Sequence, residues 1–204
     1  RDKNIYFQKY TRGIPDDKIQ KLDQKTNKKG TKILFKPDEA IFDHNVKFNI
    51  ERLYSFCKSK AYLFAGIEIR WSCDESIANE SNVPTSEVFN FSKGLEDFLT
   101  NEVKDSSFVA QESFIGKKEK DSKNNSIEWA VNWSMSSDGF LNSYCNTVPT
   151  PDGGTHELGL KNGLLKALRT HSERVGNKKG LSITSDDLSK SMIAVISLFI
   201  PDPK

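Results

Sequence analysis

His156 and Glu157 are the pair in this chain whose types most readily suggest chemistry. A helical His-Glu opens a zinc-protease motif only when a second histidine follows four residues after the first, so that two imidazoles share one helix face. Leu160 stands at that place, which excludes the motif. The other two histidines, His44 and His171, lie far away in sequence, and His171 falls on a leucine stripe where it is expected to pack as a core residue. Gly153 and Gly154 come immediately before, and a helix opening after such a turn offers free N–H groups to an anion. Neither a G-x-x-x-x-G-K-[ST] nor a G-x-G-x-x-G pattern surrounds them, so by themselves they read as a tight turn. None of the five tyrosines has a neighbouring base that would make it a nucleophile. No Ser-His-Asp or Cys-His arrangement stands out. Cys57, Cys73 and Cys145 are odd in number and form no C-x-x-C pair, which predicts reduced thiols in a cytoplasmic setting. Neither a catalytic residue nor a metal-ligand set is visible.

The basic residues say more. Leu160, Leu164, Leu168 and Val175 mark a helix over residues 155–176, with Thr155 as its expected N-cap. On a helical wheel Lys166, Arg169 and Arg174 lie opposite the leucines. Lys161 falls inside the apolar arc, near the positive end of the helix dipole, and neither feature favours a cation. Two readings stay open: the lysine stem snorkels past the core edge, or the charge is there for a partner. The run Lys117-Lys118-Glu119-Lys120-Asp121 alternates in sign and reads as a solvated loop. A net charge of +2 is too small to imply nucleic-acid binding, so any such contact must come from local patches.

The elements that must position these residues follow from periodicity. The chain has 204 residues, room for one large domain or two small ones. Apolar residues make up 36% and charged residues 28%, the balance of a globular protein, and no run approaches the ~20 apolar residues that span a membrane. The start at Arg1, without an apolar leader, is expected of a piece of a longer chain. Residues 4–12 read as a strand, 16–30 as a polar loop and 31–35 as a short strand stopped at Pro37. Ile50, Leu53, Cys57, Ala61 and Phe64 share one helical face, closed by Gly66, and Ile67, Ile69 and Trp71 alternate as a strand. Residues 74–93 read as a loop and Leu95, Phe98 and Leu99 as a short helix. A strand over 107–115, a loop tip over 116–126 and a hairpin made by 127–133 and 140–147 follow. Thr184 and Asp187 announce a capped helix, and residues 193–200 a strand buried on both faces. The order implies an α+β fold with helices on one face of a sheet.

The segment Tyr144-Cys-Asn-Thr-Val-Pro-Thr-Pro-Asp-Gly-Gly-Thr-His156, followed by Glu157-Leu-Gly-Leu160, resembles the signature of bacterial type IIA DNA topoisomerase B subunits. In that family an Asn-Thr, a turn and Gly-Gly-Thr-His lead into a long helix. Gly30-Thr31 before Phe35-x-Pro37-Asp38 and Ile41-Phe42 is similar to the close of the family's ATPase domain. Ala61-x-Leu63 with Gly66-x-Glu68-Ile69 resembles its first transducer helix and strand, and Ile200-Pro-Asp-Pro-Lys204 the strand leading into its Gln-Thr-Lys loop. The likeness covers essentially the whole chain. Val148-Pro149-Thr150 and the Leu164-Leu165 pair look like the topoisomerase IV branch; gyrase subunits more usually carry Asn where Pro149 stands and Phe where Leu160 stands.

The resemblance implies that residues 1–41 are the last strands of a GHKL-type ATPase domain. It implies that residues 42–204 are the transducer, with the left-handed β-α-β unit of a two-layer, ribosomal-protein-type fold. The whole subunit would be an ATP-hydrolysing isomerase that passes one duplex through another. It would use ATP and Mg2+, dimerise when ATP binds, and pair with an A subunit on DNA in the nucleoid-associated cytoplasm. Thr31 matches the family threonine beside the adenine, where it helps hold a bridging water. Lys161 matches a basic position facing the DNA cavity, with Lys166 and Arg169 added from the wheel alone. Gly153, Gly154, Thr155 and His156 are the motif itself. The family's ATP-binding motifs, its catalytic metal motif and its cleaving tyrosine have no counterpart in these residues, so this piece is expected to hold no cofactor and to turn over nothing. It would carry ATP-driven closure to the DNA gate. The alternatives are the same part of a gyrase B subunit, or a stand-alone nucleic-acid-binding module, or a mismatch-repair or chaperone relative of the same ATPase superfamily.

Overall fold

The computed structural model describes residues 2–42, 46–103, 108–135 and 138–203. The chain forms two compact units, Arg1–Phe48 and Asn49–Lys204. His44 lies outside the described residues, as does the start of the expected strand over 107–115.

Among its described residues the first unit has four short strands: β1 (Asn4–Phe7), β2 (Tyr10–Thr11), β3 (Ile14–Pro15) and β4 (Gln20–Lys25). Strand β1 pairs antiparallel with β4, and β2 with β3 around Arg12 and Gly13, both at positive φ. The segment 16–30 was expected to be loop throughout. Strand β4 is nevertheless there, with polar residues on both faces and only Leu22 half-buried, so no alternation could announce it. Residues 31–35, expected to form a strand, make no ladder. Ile33, Leu34 and Phe35 are 80%, 90% and 70% exposed. An apolar run becomes a strand only where a neighbour takes its N–H and C=O groups.

The second unit begins at α1 (Ile50–Leu63), capped by Asn49, whose side chain accepts from Arg52 N–H at 2.8 Å. There follow β5 (Glu68–Ser72), α2 (Glu75–Ser81), β6 (Ser86–Asn90), α3 (Leu95–Glu102), β7 (Phe114–Lys118), β8 (Ser126–Trp133), β9 (Phe140–Cys145), β10 (Val148–Pro149), α4 (Thr155–Arg174), α5 (Lys178–Leu181), α6 (Ser185–Lys190) and β11 (Met192–Phe199). Strands β5 and β6 form a two-stranded antiparallel sheet, joined through α2, whose Trp71 and Phe89 pack on Ala61, Tyr54 and Cys57 of α1. Residues 74–93 therefore hold a helix and a strand where a loop was expected; β6 buries only Phe89, too little apolar periodicity to read.

A five-stranded sheet runs β10-β9-β11-β8-β7. Strand β11 is antiparallel to β8, with Ala194 opposite Val131, and parallel to β9, with Ala194 opposite Leu141. The expected hairpin of 127–133 with 140–147 does not form, because β11 stands between those two strands. The reason lies in composition: Ile193 to Ile196 are 0% exposed, and a strand this apolar needs a neighbour on each edge and cover on each face. Ile193, Val195 and Ile196 each contribute about 1.5–3 kcal/mol by leaving water. Strand β7 starts at Phe114 and runs through Lys118, later than expected. Gly116 belongs in it, because a Cβ there would meet the Trp129 ring at 2.2 Å.

The class is α+β, and β9, the helices after it and β11 make a parallel β-α-β unit. Ile193, Val195 and Ala130 pack on Tyr62, Leu63, Leu95, Phe98 and Leu99 of α1 and α3. Ala194, Met192 and Val131 face the other way, onto Leu164 of α4 and Leu188 of α6. Helices thus cover both faces of this sheet, one layer more than expected.

Candidate functional site

Helix α4 carries most of the residues singled out by sequence. Its start is set by a turn in which Gly153 N–H donates to Thr150 O at 2.9 Å. Gly153 has φ +72, a conformation that L side chains resist, and a Cβ on Gly154 would meet the His156 imidazole at 2.8 Å. Thr155 is not the N-cap; Gly154 takes that place, and Thr155 is the exposed first helical residue with no side-chain cap bond.

What seats the helix instead is a chain of side chains from β9, the turn and α4. Ser143, 5% exposed on β9, has its Oγ 2.5 Å from Glu157 Oε1 and 2.5 Å from Thr150 Oγ1; Thr150 Oγ1 lies 3.1 Å from His156 Nε2. The bond to Glu157 has Ser143 as its donor, and a hydroxyl has a single proton to give. Ser143 therefore donates to Glu157 and accepts from Thr150, and Thr150 accepts from His156 Nε2–H. The proton direction runs His156, Thr150, Ser143, Glu157. This is opposite to a hydrolase relay, in which the imidazole takes the serine proton. The arrangement clamps the first turn of α4 onto β9, and Glu157 in that turn also meets the positive end of the helix dipole. Sequence reasoning noted Glu157 only as part of a motif and missed Ser143 altogether. The readable signal was a serine on the α4-facing side of an alternating strand, between Leu141 and Cys145.

Further along, Leu160, Leu164, Leu165 and Leu168 pack toward β8 and β11. Lys161 is half-buried beside them, as its place on the wheel required; Lys166 and Arg169 are exposed. Arg169 is also tethered: Nε and Nη2 donate to Ile183 O at 3.0 and 2.5 Å, fixing the approach to α6. His171 was expected in the core and is exposed; its neighbour Ser172, 7% exposed, is the buried residue, donating to Leu168 O at 2.8 Å. One residue is about 100° on a helix, enough to exchange core for solvent. From 155 to 181 the chain carries six Lys and Arg against two Glu, a local basic excess inside a nearly neutral protein. Thr31 belongs to the first unit, exposed in an irregular segment.

Cys57, Cys73 and Cys145 are free and half-buried. Among the described residues no group of three His, Cys, Asp or Glu could hold a metal ion, and no helix is long and apolar enough to cross a membrane.

Comparison with known proteins bears on this arrangement directly. The model of the family described as DNA gyrase B matches residues 94–204, more than half of the chain and all five strands of the large sheet. The B subunit of DNA topoisomerase 4 from Bartonella bacilliformis is 42% identical over 205 residues, covering 100% of this chain and 30% of its own length. The B subunit of DNA gyrase from Chlamydia muridarum is 29% identical over 208 residues, covering 100% of this chain and 25% of its own length. The 43K ATPase domain of Thermus thermophilus gyrase B superposes with a TM-score of 0.79 at 23% identity, covering 100% of this chain and 54% of that one, a likeness of fold. The chain thus spans about a third or less of the curated relatives it matches.

Proposed function

Because the chain belongs to the DNA gyrase B family, we propose that it works inside the B subunit of a type II DNA topoisomerase, as the part that carries ATP-driven closure to the DNA gate. Residues 1–41 are assigned to the end of an ATPase domain and residues 42–204 to the transducer. The topoisomerase IV branch is favoured over gyrase by 42% identity against 29%, and Pro149 and Leu160 agree. The observation that carries the reading is α4. Its Gly-Gly-Thr-His entry is clamped to β9, and its later turns pack on the central strand, so a displacement of the sheet moves the helix as a rigid body.

The residues present do not fit a magnesium-nucleotide site. No metal-capable cluster occurs among the described residues, and the space at Gly153 and Gly154 is taken by Glu157 and His156. ATP and Mg2+ are therefore assigned to other parts of the longer protein, with Thr31 contributing at the adenine side through water. Lys161, Lys166 and the unbonded donors of Arg169 are assigned to duplex DNA, where each neutralised phosphate releases a counterion. The expected partners are an A subunit, duplex DNA and a second B subunit, in the cytoplasm at the nucleoid.

In the longer protein, assembled with its partner, Lys161→Glu lowers DNA-stimulated ATP hydrolysis and strand passage several-fold while the melting temperature stays put. Parental activity in that variant removes Lys161 from the DNA-facing set. Robust ATP turnover by these 204 residues alone refutes the division of labour. The basic excess over 155–181 supports a second reading, a module that binds nucleic acid unaided. That reading requires sub-micromolar, strongly salt-dependent binding of duplex DNA by this chain alone.

A further inference from the structure

The turn between β9 and β10 holds its residues in a costly shape. Asn146 has φ +49 and Thr147 φ +69, consecutive left-handed residues as in a type I′ hairpin turn. Asparagine accepts that conformation; a β-branched threonine resists it, and glycine is the usual occupant. Such a conformation persists where the surroundings over-determine it, and here they do so from two sides.

On one side the Asn146 carboxamide grips the backbone of Ile200. Its Nδ2 donates to Ile200 O at 2.8 Å, and its Oδ1 accepts from Ile200 N–H at 2.9 Å. Asn146 N–H also donates to Leu198 O at 2.8 Å. These bonds take over where the parallel ladder of β9 and β11 ends, at Cys145 opposite Leu198. On the other side Lys60, in the last turn of α1, donates its ammonium to Thr147 O. Lys60 is half-buried, with the Phe56 ring centroid 4.5 Å from its Nζ. A second contact joins the same two places: the Phe64 ring, at the end of α1, lies 5.9 Å from that of Phe199.

We propose that the turn formed by Asn146 and Thr147 is a latch that ties the exit of β11 to the C-terminal turn of α1. A pull on the chain beyond Ile200 is felt at α1 through two side chains and one carbonyl, and release of either bond frees that exit. Asn146 and Lys60 are positioning residues. The latch stands on geometry alone; its use in relaying ATP-driven movement rests on the function proposed above.

The test is hydrogen–deuterium exchange at the Ile200 amide in the longer protein, assembled with its partner, together with DNA-stimulated ATP hydrolysis. Asn146→Ala removes the grip on Ile200. Lys60→Met keeps the apolar stem and removes only the bond to Thr147, and Lys60→Arg restores a donor. Both losses speed exchange at Ile200 at least tenfold, Lys60→Arg returns it toward the parent, and DNA stimulation falls several-fold in both. Parental exchange at Ile200 in Lys60→Met overturns the latch, because the turn then fails to connect its two sides. Faster exchange with undiminished DNA stimulation upholds the latch and overturns the coupling function. Should Asn146→Ala fail to fold, the Lys60 variants decide the question by themselves.

Discussion

Gly154 has no room for a side chain because the imidazole of His156 fills the space where a Cβ would sit. Gly154→Ala therefore forces the ring off Thr150 and unseats the first turn of α4, at a cost of about 1–3 kcal/mol, the scale of overpacking. His156→Ala in the same chain opens that space, so the double variant recovers part of the loss in urea unfolding; strictly additive losses rule out this account. Two tyrosines predict a second residue-level effect. Burial pushes the phenols of Tyr54 and Tyr62 up to about 12, with the bond to Glu87 adding to the shift at Tyr54 and the Asn101 side chain opposing it at Tyr62. The folded protein keeps both neutral, whereas the unfolded chain ionises them near pH 10. Their contribution is thus complete below pH 10 and is lost between pH 10 and about 12. Melting temperature followed against pH falls across that window, and Tyr62→Phe makes the fall shallower. An unaltered alkaline limb in Tyr62→Phe assigns the loss elsewhere. At this scale the motif glycines were legible as a turn, but the reason for each was not. Positive φ at Gly153 and a ring against Gly154 are facts of three dimensions. The half-buried place of Lys161 was legible from the helical wheel, whereas Ser143 went unread although its place on the α4-facing side of β9 was the available signal.

Strands were legible when apolar alternation came with a partner and illegible otherwise. Strand β8 and the apolar run of β11 were readable, as was the capping box at Thr184 and Asp187. The hairpin of β8 with β9 was misread because nearness in sequence is only a prior for pairing. A strand buried on both faces already required cover on both faces, so the second helical layer was implicit in residues 193–200. Gly139, just before β9, is the mark of the inserted strand: a Cβ there would sit 2.3 Å from the Met192 carbonyl oxygen, and Gly139 N–H donates to Lys190 O at 2.8 Å. Gly139→Ala pushes backbone against backbone and destabilises the sheet by about 2 kcal/mol or more, the range of strain at a close approach. Gly163, mid-helix on α4 with nothing within 4 Å of a built Cβ, is the control. Gly163→Ala stabilises by about 1 kcal/mol through helix propensity. Equal effects of the two substitutions on the unfolding midpoint contradict the inserted-strand explanation.

At the scale of the molecule the two units differ in how much they bury. The large sheet holds a core of fully covered residues, whereas in the first unit Ile33, Leu34 and Phe35 stand mostly in water. A segment with few buried contacts opens at low free energy. Amide exchange over residues 31–36 is therefore expected to be at least ~100-fold faster in this chain alone than in the longer protein, where proposed neighbours cover the run. Equal rates in the two would mean that nothing covers it. The apolar run over 31–35 was legible, but the strand read from it does not form, since a hydrogen-bonding neighbour is a property of the surroundings and not of five residues.

Strand β11 ends at Phe199, yet it occupies the middle of the sheet, zipped to β8 on one edge and to β9 on the other. During synthesis β8 and β9 emerge first, each with an edge that nothing yet satisfies. The two must stay apart until the ribosome has delivered β11, roughly 50 residues after β9, at a speed set by translation of about 5–20 residues per second. For several seconds the nascent protein therefore carries an open slot shaped for an apolar strand. Any loose segment of matching character, from this polypeptide or another, competes for that slot before the rightful occupant arrives.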